Sequence, residues 1–233
     1  MTLPPGTQLK LVRAVLEAAS GTAESGNGAG LAKRYFPWQF GLDYDAIGRG
    51  GAQDLFDEQL DVRALLRGQS AVKWTIVSTG MFMSFLFEAA FGVVELGTKE
   101  GNGRVTALGS WENALTVTEV GDIGRVVAEL ALVDVGMDGV VFVAGDTVGM
   151  RRLAGLVEGM VGGREVEKRV KSVAELQGEL AEEPVDGMRK YRAVFAAGVG
   201  VAWDREGSYN VRKGIDTMSV EEWAERNLRV LEA

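Results

Sequence analysis

Two short segments constrain this chain more than anything else in it: residues 72–79 (VKWTIVST) and 139–144 (GVVFVA). Both are β-branched and nearly continuously apolar. A strand with one wet face alternates apolar and polar side chains, whereas a strand covered on both faces has no polar side to show. Parallel strands of that kind need a crossover between them, usually a helix. The two segments therefore predict an α/β protein with a mainly parallel sheet.

The helices such a sheet needs are readable too. Residues 7–19 carry an apolar stripe of Leu9, Leu11, Val12, Val15 and Leu16. Residues 53–67 offer Leu55, Leu60, Val62, Leu65 and Leu66, with Gly68 as a stop signal. Further helices are expected at 122–132, 147–160, 172–182 and 219–231. The last two open on Ser172 with Glu175 and Ser219 with Glu222, the capping-box spacing. Shorter strands are expected at 33–40, ending at Pro37, and at 104–108, 115–120 and 164–170. The Gly/Ser-rich stretch 20–30 reads as a loop and 97–103 as a surface turn.

Composition narrows the chemistry. The 233 residues are 46% hydrophobic and 25% charged, enough for a sizeable core. The net charge of −8 excludes a nucleic-acid partner, which needs a basic surface. There is no Cys and no His, so no disulfide, thiolate nucleophile or His-based triad exists, and no metal site is expected. Acid–base work falls to Asp, Glu, Lys, Tyr or a bound cofactor. Residues 81–94 are the greasiest run, and Glu88 interrupts them. With no apolar run of 18 residues and no leader pattern, a cytoplasmic protein without a membrane span is expected.

Ligands of open parallel sheets sit beyond the carboxyl ends of the strands. Two such ends stand out: Pro37-Trp38-Gln39-Phe40-Gly41 and Ser78-Thr79-Gly80-Met81-Phe82. Each places an aromatic ring and a glycine just past a strand, where a ring can stack on a flat ligand and glycine lets backbone come close. The competing reading makes Trp38, Phe40, Phe82, Phe85 and Phe87 ordinary core. A phosphate-binding loop must follow a strand and open a helix. Neither Gly26–Gly30, nor the glycines at 48–51, nor those at 198–200 meet that condition, and all read as turns. Asp43 and Asp45, and Asp57, Glu58 and Asp61, read as solvated surface.

The segment Tyr35-Phe36-Pro37-Trp38-Gln39-Phe40-Gly41 resembles the Phe-x-Pro-Ser-Glu-Phe-Gly segment of NmrA-like and isoflavone-reductase-like proteins. Residues 55–63 (LFDEQLDVR) and 74–82 (WTIVSTGMF) are similar to that family's next helix and strand, and 117–125 (VTEVGDIGR) to its Asp-Ile-Gly helix start. The resemblance implies an atypical short-chain dehydrogenase/reductase. Full-length members bind NADP(H) on a Rossmann domain; some reduce aromatic substrates, and others sense the nucleotide without turning it over. It also implies an incomplete Rossmann-type parallel sheet, N-terminally truncated so that the first strands and the Gly-rich loop are missing, with a smaller C-terminal α/β substrate cap. Residues 1–80 would be the remnant of the nucleotide domain. Residues 81–233 would be the cap region, with 115–160 returning to the sheet.

By the same resemblance Pro37, Trp38, Gln39 and Phe40 lie beside the nicotinamide, and Gly80, Met81 and Phe82 cover its other face. The family's catalytic Lys falls at Gln59, which carries no titratable proton. The expected partners are a small-molecule substrate or nucleotide, and a protein partner if the chain is a regulator. Without the Gly-rich loop this chain is expected to hold NADP(H) poorly.

Overall fold

The computed structural model describes residues 4–24, 34–50, 54–97, 102–162 and 165–228. The elements run α1 (Thr7–Glu24), β1 (Arg34–Tyr35), α2 (Tyr44–Ile47), α3 (Leu55–Arg67), β2 (Lys73–Ser78), β3 (Met81–Phe82), a 3-10 turn (Met83–Phe87), β4 (Val94–Glu95), β5 (Gly103–Leu108) and β6 (Ala114–Thr118). They continue with α4 (Val120–Leu132), β7 (Gly139–Phe142), β8 (Asp146–Gly149), α5 (Met150–Met160), β9 (Val166–Lys171), α6 (Val173–Glu182), α7 (Gly187–Ala197), α8 (Tyr209–Arg212) and α9 (Val220–Asn227).

The two apolar segments form adjacent strands of one sheet. Strand β2 lies between β1 and β7, parallel to both, with Tyr35 opposite Trp74 and Ile76 opposite Val140. Helices cover both faces, which is why neither strand alternates. Val12 of α1 and Val62 and Leu66 of α3 pack on Ile76. Val126 and Leu130 of α4, with Tyr209, pack against Val77 and Val141 on the other side. Each aliphatic side chain buried this completely contributes about 1.5–3 kcal/mol. This is an α/β fold with a parallel sheet of Rossmann type.

Two further sheets depart from purely parallel pairing. Strand β6 pairs parallel with β3 and antiparallel with β8; β5 pairs parallel with β9 and antiparallel with β4. The strand β8 occupies the start of the region expected to be helix from residue 147. A short link after β7 leads into β8, which pairs antiparallel with β6, Thr116 opposite Thr147. Thr147 and Val148 favour a strand, and the helix begins only after Gly149.

Smaller differences have equally local causes. The strand expected over 33–40 is confined to Arg34–Tyr35, because Pro37 cannot donate to a ladder and the chain then bends, Gln39 N–H donating to the Pro37 carbonyl at 2.8 Å. Helix α1 runs on to Glu24, past the start of the expected loop. The remainder of that loop from residue 25, most of the turn at 97–103, and the end of the helix expected to residue 231 lie outside the described residues. Both capping boxes are present, at Ser172 and Ser219.

Within the acidic cluster on α3, Asp57 and Asp61 make exposed contacts, but Glu58 is a tie to α1. Glu58 accepts the N–H groups of Gly6, Gln8 and Leu9 at 2.9, 2.8 and 3.2 Å. Those are orphan donors of the α1 N-terminus, where a carboxylate also meets the positive end of the helix dipole. Asp122, in the segment that resembles the Asp-Ile-Gly motif, plays a similar part. It is buried, pairs with Arg125, and accepts the Met218 N–H at 2.6 Å, fixing the approach to α9.

Candidate functional site

The two segments that stood out past the strand ends meet. The Gly41 carbonyl accepts the N–H groups of Thr79 and Gly80 at 2.9 and 3.0 Å. Gly80 has φ +72, and a Cβ there would drive into the Thr116 carbonyl, so only glycine lets the chain cross β6 this closely. Thr118 Oγ1 holds the same crossing from below, donating to the Thr79 carbonyl at 2.7 Å.

Beside this junction lies a cavity of about 230 Å³ lined by Phe40, Gly41, Leu42, Tyr44, Phe56, Gly80, Met81, Phe82, Phe85, Met188, Tyr191 and Phe195. Its wall is an aromatic framework. Tyr44 stacks on Phe56 at 4.6 Å between centroids, and Phe85 meets the edge of Tyr191 at 5.9 Å. Burial pushes the hydroxyls of Tyr44 and Tyr191 up from the usual tyrosine range, so both stay protonated near neutrality and can donate hydrogen bonds. A cleft of this make-up takes a flat apolar ring and offers it few polar partners.

Of the residues singled out from sequence, Phe40, Gly80, Met81 and Phe82 line the cavity. Trp38 lies at the surface, 50% exposed. Pro37 and Gln39 are buried away from the opening. Gln39 bridges to α3, its Nε2 donating to the Gln59 carbonyl at 3.1 Å and its Oε1 accepting from Arg63 Nε at 2.9 Å. Gln59 itself is buried, and its Oε1 has no hydrogen-bond partner.

Arg63 organises this polar cluster. It is fully buried, pairs with Asp45 at 2.7 Å and lies 4.9 Å over the Tyr44 ring. Asp45 also binds Arg67 in bidentate fashion at 2.8 and 2.6 Å. The Arg67 hydrogen bonds, reinforced by the Arg63 charge, hold its carboxyl down at about 2. The acids at 43–45, expected on the surface, thus include one that neutralises a buried guanidinium.

Sequence reading misses α7, which brings Met188, Tyr191 and Phe195 to the cavity. The signals were present. Asp186 caps the helix by accepting the Arg189 N–H at 2.8 Å, and Gly198 ends it in the left-handed conformation. The residues at 188, 191 and 195 have one-face helical spacing. Sequence reading also passes over one Tyr-x-x-x-Lys spacing, at Tyr209 and Lys213. Both bond Asp134, at 3.1 and 2.8 Å, and burial together with that carboxylate pushes Tyr209 up to about 12. An activated catalytic tyrosine would be shifted the other way, and this one lies outside the cavity.

Against a dinucleotide the described residues fit only in part. The aromatic wall suits a nicotinamide ring. For a pyrophosphate a strand-following helix must offer a free N-terminus. Among the described residues Glu119 caps α4 and accepts the Asp122 N–H, and Asp57 and Glu58 sit in the first turn of α3, whereas α5, which follows β8, starts after Gly149 with no acidic residue in its first turn. No Gly-rich loop precedes α4 or α5 in the sequence.

Solved structures of several proteins share this fold. An isoflavone reductase superposes with TM-score 0.64 at 16% identity, covering 91% of this chain and 70% of that one. A leucoanthocyanidin reductase from Vitis vinifera, solved with NADPH, gives 0.65 at 16% identity, over 91% and 73%. A nucleoside-diphosphate-sugar epimerase from Staphylococcus aureus gives 0.64 at 16%, over 97% and 74%. No family model matches the sequence. An NmrA-like family domain-containing oxidoreductase from Gibberella moniliformis is 45% identical over 225 residues, 96% of this chain and 68% of its own length. The chain belongs to the NmrA-like family.

Proposed function

We propose that the aromatic cavity is the ligand site of an NADP(H)-linked, isoflavone-reductase-like oxidoreductase, and that this chain, tested as it stands, is catalytically impaired. The carrying observation is the cavity itself, where Phe40, Gly80, Met81 and Phe82 converge with Tyr191 and Phe195. The ligand that matches it is a small aromatic or conjugated carbonyl compound lying against a flat ring. Impairment is supported by Gln59, buried and without a titratable proton where the family carries Lys, and by the carboxylates at the starts of α3 and α4. In this reading residues 1–80 belong to the nucleotide half and 81–233 to the substrate cap, with 115–160 returning to the sheet; the pairing of β7 with β2 supports the return.

A second reading, a non-enzymatic NADP(H)-sensing or protein-binding module, draws on the same Gln59 and on a cavity whose titratable lining groups are neutral tyrosines. Calorimetric titration with NADPH and with cinnamaldehyde, followed by an NADPH-oxidation assay against aromatic ketones and enones, separates these outcomes. Binding of the enal with no saturable heat at micromolar NADPH is expected. Micromolar NADPH affinity without turnover favours the sensor, and turnover with Gln59 in place contradicts both the impairment and the sensor.

A further inference from the structure

A second cavity lies on the other sheet of the C-terminal half. Strands β5 and β9 run parallel in register, with Arg104 opposite Glu167, Thr106 opposite Arg169 and Leu108 opposite Lys171. Alternate residues share a face. Val105 and Ala107 therefore enter the core, and the charged partners stand on the opposite side. Helix α7 crosses that side and contributes Arg192, and the Phe91–Gly92 turn closes one end. The enclosed volume is about 210 Å³, lined by Arg104, Arg169, Lys171 and Arg192 over Thr106 and Leu108, with Glu95 at the edge.

The charges do not balance. Arg104 pairs with Glu95 and Glu167, Arg169 with the same Glu167, and Lys171 with Glu179. Arg192 has no carboxylate within ion-pair distance among the described residues. Its Nη1 donates to the Ala90 carbonyl at 3.2 Å, and its Nε is buried with no hydrogen-bond partner. A solvated ladder of ion pairs accounts for Arg104, Arg169 and Lys171. It leaves the Arg192 guanidinium unexplained, and a buried donor without an acceptor is unfavourable.

We propose that this cavity binds a small oxyanion of phosphate type. Its volume lies below the roughly 300 Å³ at which pockets begin to hold drug-sized ligands, so the occupant is small. Guanidinium groups pair with phosphate oxygens through two parallel hydrogen bonds. The donors converge from β5, β9 and α7, which suits a tetrahedral anion better than a planar carboxylate with two oxygens in one plane. The site is separate from the aromatic cavity but shares α7 with it: Met188, Tyr191 and Phe195 serve one and Arg192 the other.

The test titrates the full chain with inorganic phosphate at low ionic strength, by calorimetry and by thermal melting, with acetate and with sodium chloride at matched ionic strength as comparisons. Saturable phosphate binding that raises Tm, with acetate weaker and chloride inert, is the expected result. Arg192→Gln should weaken it about tenfold or more. Arg169→Gln, at an exposed side chain, should weaken it too and carries the test should the first variant fail to fold. Arg151→Gln, which breaks a distant exposed pair with Glu112, should leave it unchanged. The proposal is overturned by no saturable binding, by an equal response to chloride, by acetate binding as tightly as phosphate, or by wild-type affinity in the variants at Arg192 or Arg169.

Discussion

Tyr44 separates two regions of opposite character. Over one face of its ring lies Arg63, sealed with Gln39, Gln59 and Asp45 in a cluster dense in polar groups; its other contacts, Phe56 above all, belong to an aromatic cavity with almost none. The polar region has the groups that chemistry uses but its central side chain is fully buried, while the aromatic region has the room but few reactive groups. Chemistry-bearing residue types therefore mark the structural half of this site, and the ligand-sized space is marked by rings and glycines.

If the polar cluster is structural, the largest effect belongs to Arg63→Ala. Removing one partner of a buried charged network should cost about 3–5 kcal/mol, read by urea unfolding. A variant that unfolds like the parent would dismantle the contrast. Gly80→Ala comes next. Forcing a side chain onto a left-handed residue costs about 1–3 kcal/mol, and here the added Cβ also meets the Thr116 carbonyl. Were Gly80 needed only for a ligand, the variant would keep its Tm and lose binding alone.

The smallest effect is electrostatic. The folded-state pKa of Asp45 is depressed to about 2 from 3.8, so its stabilisation is fully present above the higher value and is lost as pH falls through the lower one. Its side chain is 37% exposed, and solvent screening reduces the contribution to about 1 kcal/mol. Asp45→Asn should flatten the acid limb of stability between those values. An unchanged acid limb would mean that Arg63 is neutralised some other way.

How much was legible follows the same divide. The sheet was readable because residues 72–79 and 139–144 have no polar face, and the capping boxes because two residues at fixed spacing define them. The junction at Gly41 and Gly80 was readable as a pair of strand ends. Glu58 and Asp45 were not, since a carboxylate on a helix face reads the same whether it meets water, a helix N-terminus or a buried arginine. Helix α7 was missed although Asp186 and Gly198 frame it. The role of Tyr209 depends on Asp134, 75 residues away in the chain.

Methionine methyl groups give the most direct test of the central claim, that flat ligands enter the aromatic cavity. Met81 and Met188 line it, whereas Met150 is core and Met160 ends α5. With methyl-labelled methionine in the full chain, titration with cinnamaldehyde should shift the Met81 and Met188 signals together and saturably, leaving Met150 and Met160 in place. Saturable shifts that spare both Met81 and Met188 would contradict the account.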